Sequence, residues 1–205
     1  MKALATLMLA LLLCGAMLAQ GGQATAPAAA APAAQNAPPP MDPKNPVLSV
    51  VKAMFESRVR AISAAADAMP ADKWSYKPTD GQETFAHVMA HIATSDGFLC
   101  ARIGDGTAPD AVTQVKGEDG KEKITAAVKA SFDFCRDALS KTDDSKLGQE
   151  VAWRGNTKMP RSRPVVELPV DLYDHYAALA GYMRLNGMLP PTAQQPQQQQ
   201  RPAAK

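Results

Sequence analysis

The chain has 205 residues, with 22 basic and 20 acidic side chains that give a formal net charge of +2. This balance creates no strong field for nucleic acid, and no basic stripe is interleaved with aromatic residues, so no nucleic-acid role is predicted. Downstream of the N-terminal segment, no stretch is long and apolar enough to cross a bilayer, so no membrane span is predicted either.

The N-terminus predicts export. Residues 1–19 have a short positive start, an uninterrupted apolar run over residues 3–13 and a small-residue cleavage point at Ala19. This arrangement is typical of a secretory signal peptide, and we expect a periplasmic or secreted protein. A lipoprotein anchored through Cys14 is the less favoured alternative. A small residue should precede a lipidated cysteine, and Leu13 stands in that position.

Two further segments have biased compositions. Residues 20–45 form an Ala/Pro-rich stretch and residues 191–205 a Gln/Pro-rich tail. Neither can bury enough apolar surface to offset its ordering entropy, so both are predicted to be disordered. Residues 46–190 are left as one domain, which is large enough to bury a core of its own.

Four stretches of this domain show the helical spacing of apolar residues. They begin at Pro46, Glu83, Lys121 and Leu168 and end near Met69, Ile103, Ser140 and Asn186. Gly104 and Gly187 follow two of them as stop signals, and no run alternates over enough residues to predict a strand. Four amphipathic helices can bury their stripes against each other, so we predict an all-α four-helix bundle.

The connection before the last helix, residues 147–167, is the longest in the domain. A crossover of this length departs from a simple up-and-down bundle. It carries four basic residues with no acidic residue among them: Arg154, Lys158, Arg161 and Arg163. They form either an ordinary solvated loop or an electropositive rim that attracts an anionic substrate.

Cys100 and Cys135 are the only cysteines that remain after cleavage at Ala19. In an oxidising compartment such a pair favours a disulfide, and we predict one that joins the second and third predicted helices. A nucleophilic or redox cysteine is the alternative, but no Cys-x-x-Cys spacing supports it.

The three histidines lie in the second and last predicted helices. On a helical wheel His175 falls in the middle of the apolar stripe, and Asp171, one turn earlier, shares that stripe. His91 borders the apolar face of the second helix, and His87 lies one turn before it. Burying a carboxylate in a protein core costs free energy unless a positively charged group lies beside it. These residues form either a metal site or hydrogen-bonded core histidines with a simple ion pair.

Several segments resemble the DinB-like superfamily, in particular its exported branch. They are residues 69–78 (MPADKWSYKP), 84–100 (TFAHVMAHIATSDGFLC), 131–135 (SFDFC) and 174–191 (DHYAALAGYMRLNGMLPP). The resemblance covers most of residues 47–191, and the last segment is its most specific part. It implies a four-helix bundle with a long crossover before the last helix.

The resemblance also implies a divalent-metal site. The family's usual ligands are one histidine from the second helix and two, four residues apart, from the last, which fall on His91, Asp171 and His175. Asp171 stands where the family has a histidine, so the set becomes two imidazoles and a carboxylate. Such a set suits Zn, Ni, Fe or Mn with positions left open. His87 is a candidate extra ligand.

Two functions follow as hypotheses. The first is metal-assisted transfer or hydrolysis on a small molecule; some relatives resemble thiol-dependent transferases, although an exported protein would meet little cytosolic thiol. The second is a non-catalytic bundle that binds metal or a small ligand, or whose polar core residues only fix helix register. A homodimer is compatible with either function.

Overall fold

The computed structural model describes residues 41–194. The predicted signal peptide (residues 1–19) therefore lies outside the described residues, as do residues 20–40 of the predicted linker and residues 195–205 of the predicted tail. Residues 191–194 are described, and Pro191–Ala193 form a 3-10 helix. The Thr192 backbone N–H donates to the Tyr176 hydroxyl (3.0 Å), so this part of the predicted tail packs on the domain.

The described part of the chain contains five α-helices, three short 3-10 helices and one small sheet. The helices are α1 (Pro46–Ala68), α2 (Phe85–Ile103), α3 (Asp110–Thr113), α4 (Lys121–Ser140) and α5 (Ser162–Leu185). Strands β1 (Glu150–Ala152) and β2 (Lys158–Pro160) pair antiparallel between α4 and α5. The four long helices match the four predicted ones, and the short α3 was not predicted.

The four long helices pack as a bundle, in which α2 lies against α4 and α5, and α1 lies against α5 and α4. Each long helix buries its apolar stripe in one shared core. The largest fully buried side chains include Leu48, Phe55, Ile62, Phe85, Met89, Ile92, Leu99, Ile124, Phe132 and Leu139. The all-α prediction is therefore confirmed.

Helix α5 begins six residues earlier than predicted, at Ser162 instead of Leu168. Pro164 lies in its first turn, where a missing N–H costs no hydrogen bond. Pro169 lies farther inside the helix and is buried. A proline at such a position usually marks a helix boundary, which explains why the sequence placed the start too late.

The crossover contains a β-hairpin that the sequence did not predict. Val151 pairs with Met159, and the turn between the strands includes Gly155 at φ +63°, a left-handed conformation that favours glycine. Strands of three residues are too short to show an alternating pattern. The hairpin matters because it carries Trp153 and Arg154 toward the α2–α5 seam.

Cys100 of α2 and Cys135 of α4 are joined by a disulfide, as predicted, with their Cα atoms 5.1 Å apart. Both cysteines are fully buried. The bond therefore links two helices through the core of the bundle.

None of the helices within residues 41–194 has the length and apolar character needed to span a membrane.

Candidate metal centre

The predicted site residues lie along the seam between α2 and α5. On α2, residues 91, 95, 98 and 102 share one face because they are spaced by four, three and four positions. On α5, residues 163, 167, 171 and 175 follow one another at four-residue intervals and form a matching row. The two rows run in opposite directions, since Arg161 at the start of α5 bonds to Ile103 at the end of α2.

His91 and His175 face each other across this seam. Their ring centroids are 4.9 Å apart, and the ring planes are tilted by 37°. The Nδ1 atom of His175 lies 2.7 Å from the backbone carbonyl oxygen of Asp171, one helical turn earlier. A carbonyl can only accept, so Nδ1 carries a proton, and in the neutral imidazole the lone pair is on Nε2. This tautomer suits a metal ligand.

Asp171 is held between the two helices. Its Oδ2 atom accepts a hydrogen bond from the Ser95 hydroxyl of α2 (2.8 Å) and lies 3.6 Å from His175 Nδ1. The side chains of Asp171 and His175 are 22% and 16% exposed, so neither faces bulk water freely. The Oδ1 atom of Asp171 takes no hydrogen bond from any residue in the described range 41–194.

The pKa of His91 is lowered from its ordinary value. The largest cause is desolvation, followed by the nearby charge of His175, and Asp171 opposes both. His91 as a whole residue is exposed, but its ring lies against His175, which explains the desolvation. The imidazole is therefore neutral at neutral pH, the form that can donate a lone pair to a metal.

His91, Asp171 and His175 supply the donor types that divalent metals take, but their side chains do not converge on one point. Within residues 41–194, no group of three or more His, Cys, Asp and Glu side chains is placed where it could hold a metal ion. The hydrogen bonds around the set nevertheless follow the pattern of outer-shell support. The His175 N–H donates to a carbonyl, and the Ser95 hydroxyl donates to the carboxylate of Asp171.

His87 lies one turn before His91 but points elsewhere. Its Nδ1 atom is 3.4 Å from Glu83 Oε2, and both side chains are largely exposed. The backbone N–H of His87 is capped by the hydroxyl of Thr84 at the start of α2. His87 therefore remains an additional candidate ligand that would have to leave Glu83.

The basic residues of the crossover separate into different environments. Arg154 is exposed, with its guanidinium carbon 5.0 Å from the Phe98 ring, and its charge contributes to the lowered pKa of His91. Arg163 pairs with Glu167. Lys158 is exposed and pairs with Glu150 at 3.5 Å.

Both readings of the crossover, a solvated loop and an electropositive rim, placed Arg161 on the surface, and for this residue both are wrong. The residue is 5% exposed. Its guanidinium donates to the carbonyl oxygens of Arg102 (3.0 Å) and Ile103 (2.6 Å) and to the carboxylate of Asp105. The last carbonyls of a helix lack intrahelical partners, so Arg161 closes the end of α2. Arg102, which no sequence motif singled out, lies with Arg154 at the same end of the seam.

The roles of Ser95 and Asp96 were not predicted from the sequence. Ser95 stands four residues after His91, the same spacing that drew attention to Asp171 and His175. Asp96 is completely buried; its Oδ2 accepts from the Ser131 hydroxyl (3.0 Å), and its Oδ1 has no partner among the described residues. Burial raises the pKa of Asp96 well above its ordinary value, and the charge of Asp171 adds to this.

Comparison with known proteins assigns the fold and the family. The sequence model of the DinB superfamily matches residues 54–179. A DinB-like protein from Bacillus cereus ATCC 10987 has a crystal structure similar to this chain, with a TM-score of 0.56 and 19% identity over 68% of this chain and 95% of that one. A DinB-like protein from Bacillus subtilis gives a TM-score of 0.54 and 19% identity over 67% and 92% of the two chains. No curated protein matches the chain.

Proposed function

The chain belongs to the DinB superfamily, and we propose that it binds a divalent metal, Zn, Ni, Fe or Mn, through His91, Asp171 and His175. With this ion it performs transfer or hydrolysis on a small molecule. The observation that carries the proposal is the contact of two imidazoles across the α2–α5 seam, beside a carboxylate that Ser95 already holds.

The proposed donor atom of His175 and of Asp171 is the side-chain atom that makes no hydrogen bond within the described range. The Nδ1 atom of His175 is occupied by the Asp171 carbonyl, so His175 binds through Nε2. The Oδ2 atom of Asp171 is occupied by Ser95, so Asp171 binds through Oδ1. His91 contributes a neutral imidazole, because its pKa is lowered. Because these side chains are not grouped as ligands in the structure, metal binding would require them to rotate toward one another.

Two imidazoles and one carboxylate leave coordination positions open, as catalytic metal sites require. When bound, the ion supplies Lewis acidity, which lowers the pKa of water or a thiol and polarises an electrophile. Asp171 offsets the positive charge, and Ser95 keeps its carboxylate oriented. Arg154, close enough to depress the pKa of His91, attracts anionic substrates to the seam.

We place this activity outside the cytoplasm. The buried disulfide between Cys100 and Cys135 is compatible with an oxidising compartment. The predicted signal peptide points to the same compartment. N-terminal sequencing of the protein from culture supernatant or periplasm tests this: cleavage after Ala19 supports export, whereas an intact N-terminus in a cytoplasmic fraction contradicts it.

Metal affinity in a matched pair of variants tests the ligand set. Asp171→Asn removes the charge of the proposed ligand, and Asp174→Asn removes the same charge from an exposed position of the same helix. We expect Asp171→Asn to weaken binding at least tenfold in a chelator-competition titration, and Asp174→Asn to change it less than twofold. Equal effects of the two variants would show that Asp171 acts only through general electrostatics.

Cobalt substitution separates a catalytic site from a closed one. In an open site, a small thiol or anion binds to the ion and changes the visible absorption spectrum of the cobalt protein. In a closed site, the spectrum stays constant, and His87→Ala changes it because His87 completes the shell. The second result would favour the alternative function, a non-catalytic metal-binding bundle.

A further inference from the structure

Seven residues beyond His91, at the other end of the α2 face, aromatic and cationic side chains gather in an arrangement that the metal site does not use. Phe98 of α2 packs edge-to-face against Trp153 of the hairpin, with centroids 5.3 Å apart and planes at 70°. The guanidinium carbons of Arg102 and Arg154 lie 3.5 and 5.0 Å from the centroid of the Phe98 ring. Arg163 approaches Trp153 from α5 at 5.8 Å. We call these five residues the arginine–aromatic cluster.

The cluster has more positive charge than its neighbours neutralise. Of its three arginines, Arg163 pairs with Glu167, whereas Arg102 and Arg154 form no ion pair with any carboxylate in residues 41–194. The Arg102 Nη1 atom donates to the backbone carbonyl oxygen of Phe98 (2.6 Å), whereas the buried Nε atom has no hydrogen-bond partner there. Desolvation and then the charge of Arg154 lower the pKa of Arg102, so the two guanidinium groups are close enough to repel.

An oxyanion bound between Arg102 and Arg154 would reduce the repulsion between their guanidinium groups. A guanidinium group that lies over an aromatic ring keeps its in-plane N–H groups available, and these match the oxygens of a carboxylate or a phosphate. A bound oxyanion would also place a negative charge between the like charges of Arg102 and Arg154. The aromatic rings hold the side chains in position, so less conformational entropy is lost on binding.

The cluster lies on the same seam as the histidines. His91 and Phe98 share one face of α2, and seven residues of helix correspond to a rise of about 10 Å. The hydrogen bond between Ser95 and Asp171 lies between the two positions and keeps the helices in this register. A small molecule of about that length would therefore reach from the imidazoles to the cluster.

We propose that Arg102 and Arg154, on the Phe98–Trp153 pair, bind the carboxylate or phosphate group of the substrate, about 10 Å along the seam from the histidines. The assignment of this oxyanion to a substrate rests on the proposed function. Binding of the oxyanion itself requires no metal. The substrate is then a small molecule with its reactive group at one end and an anionic group at the other.

The test uses chelator-treated protein and two probes, inorganic phosphate and succinate, at constant ionic strength. Calorimetry measures the dissociation constants for the wild type, for Arg154→Gln and for Lys158→Gln. Lys158 is the matched control, since it is exposed on the same hairpin and its loss removes the same charge. We expect saturable binding of at least one probe, weakened at least fivefold by Arg154→Gln and less than twofold by Lys158→Gln.

Tryptophan fluorescence gives the location of the bound anion. Anion binding should change the emission of the wild type and leave that of Trp153→Phe unchanged, because Trp74, the other tryptophan, packs against Phe85 in the core. The proposal is overturned if neither probe saturates, if both charge variants weaken binding equally, or if the signal persists in Trp153→Phe. Anion binding without metal binding would overturn only the metal site, and metal binding without anion binding only this proposal.

Discussion

Removal of the disulfide should lower the stability of the bundle by an amount that the loop length predicts. The bond joins residues 35 positions apart. In the chain-entropy model, a cross-link across such a loop restricts the unfolded chain enough to stabilise the fold by about 4 kcal/mol at 25 °C. For a domain of this size, that corresponds to a melting temperature lower by about 8 to 16 °C. We therefore expect the melting temperature of the wild-type protein, measured by calorimetry, to fall by this amount after reduction of the disulfide.

Reduction retains both sulfur atoms in the core, so it isolates the effect of the cross-link. The double variant Cys100→Ala/Cys135→Ala should lose somewhat more, because both side chains are fully buried and their removal leaves small cavities. The double variant should also show no further change with reductant, which controls for effects of the reductant itself. A reduced wild type that melts within about 2 °C of the oxidised protein would refute the entropic argument.

Three other substitutions test the described contacts. Burial raises the pKa of Asp96, so the carboxyl binds its proton more tightly in the folded than in the unfolded protein. Wild-type stability should therefore fall as pH rises above the ordinary aspartate pKa. Asp96→Asn should gain up to about 1.4 kcal/mol per pH unit relative to the wild type over that range. Parallel denaturation curves across pH would contradict this. Ser95→Ala should weaken metal affinity about 10- to 100-fold by releasing Asp171, as competition titration would measure; unchanged affinity would show that Ser95 supports only the helix contact. Arg161→Gln should cost about 3 kcal/mol in urea denaturation because it leaves buried carbonyls without donors, whereas the exposed Arg163→Gln should cost less than about 1 kcal/mol; similar losses would contradict that role.

The fold was largely predictable because periodicity is a local signal. The third predicted helix, Lys121–Ser140, has the observed bounds of α4, since its apolar stripe and both ends are clear in the sequence. The start of α5 was missed because Pro169 interrupts the pattern within a continuous helix. The hairpin was missed because each strand has only three residues, and tertiary contacts of Trp153 and Arg161 support it.

The site was predictable only as a set of residue types. Spacing placed Asp171 and His175 one turn apart, but the partner of the Asp171 carboxylate is Ser95, which lies 76 positions away on another helix. The sequence also does not distinguish the environments of the four basic residues in the crossover. Arg161 and Arg154 have the same charge, yet one closes a helix end in the interior and the other lies exposed over an aromatic ring.

The position of a bound metal tests the central claim most directly. Protein prepared without a chelating tag is loaded with Zn, and diffraction data are collected on both sides of the zinc absorption edge. We predict one anomalous peak with imidazole nitrogens of His91 and His175 and a carboxylate oxygen of Asp171 at about 2 Å. Less than about a tenth of an equivalent of bound metal, or a peak that excludes these three side chains, would contradict the claim.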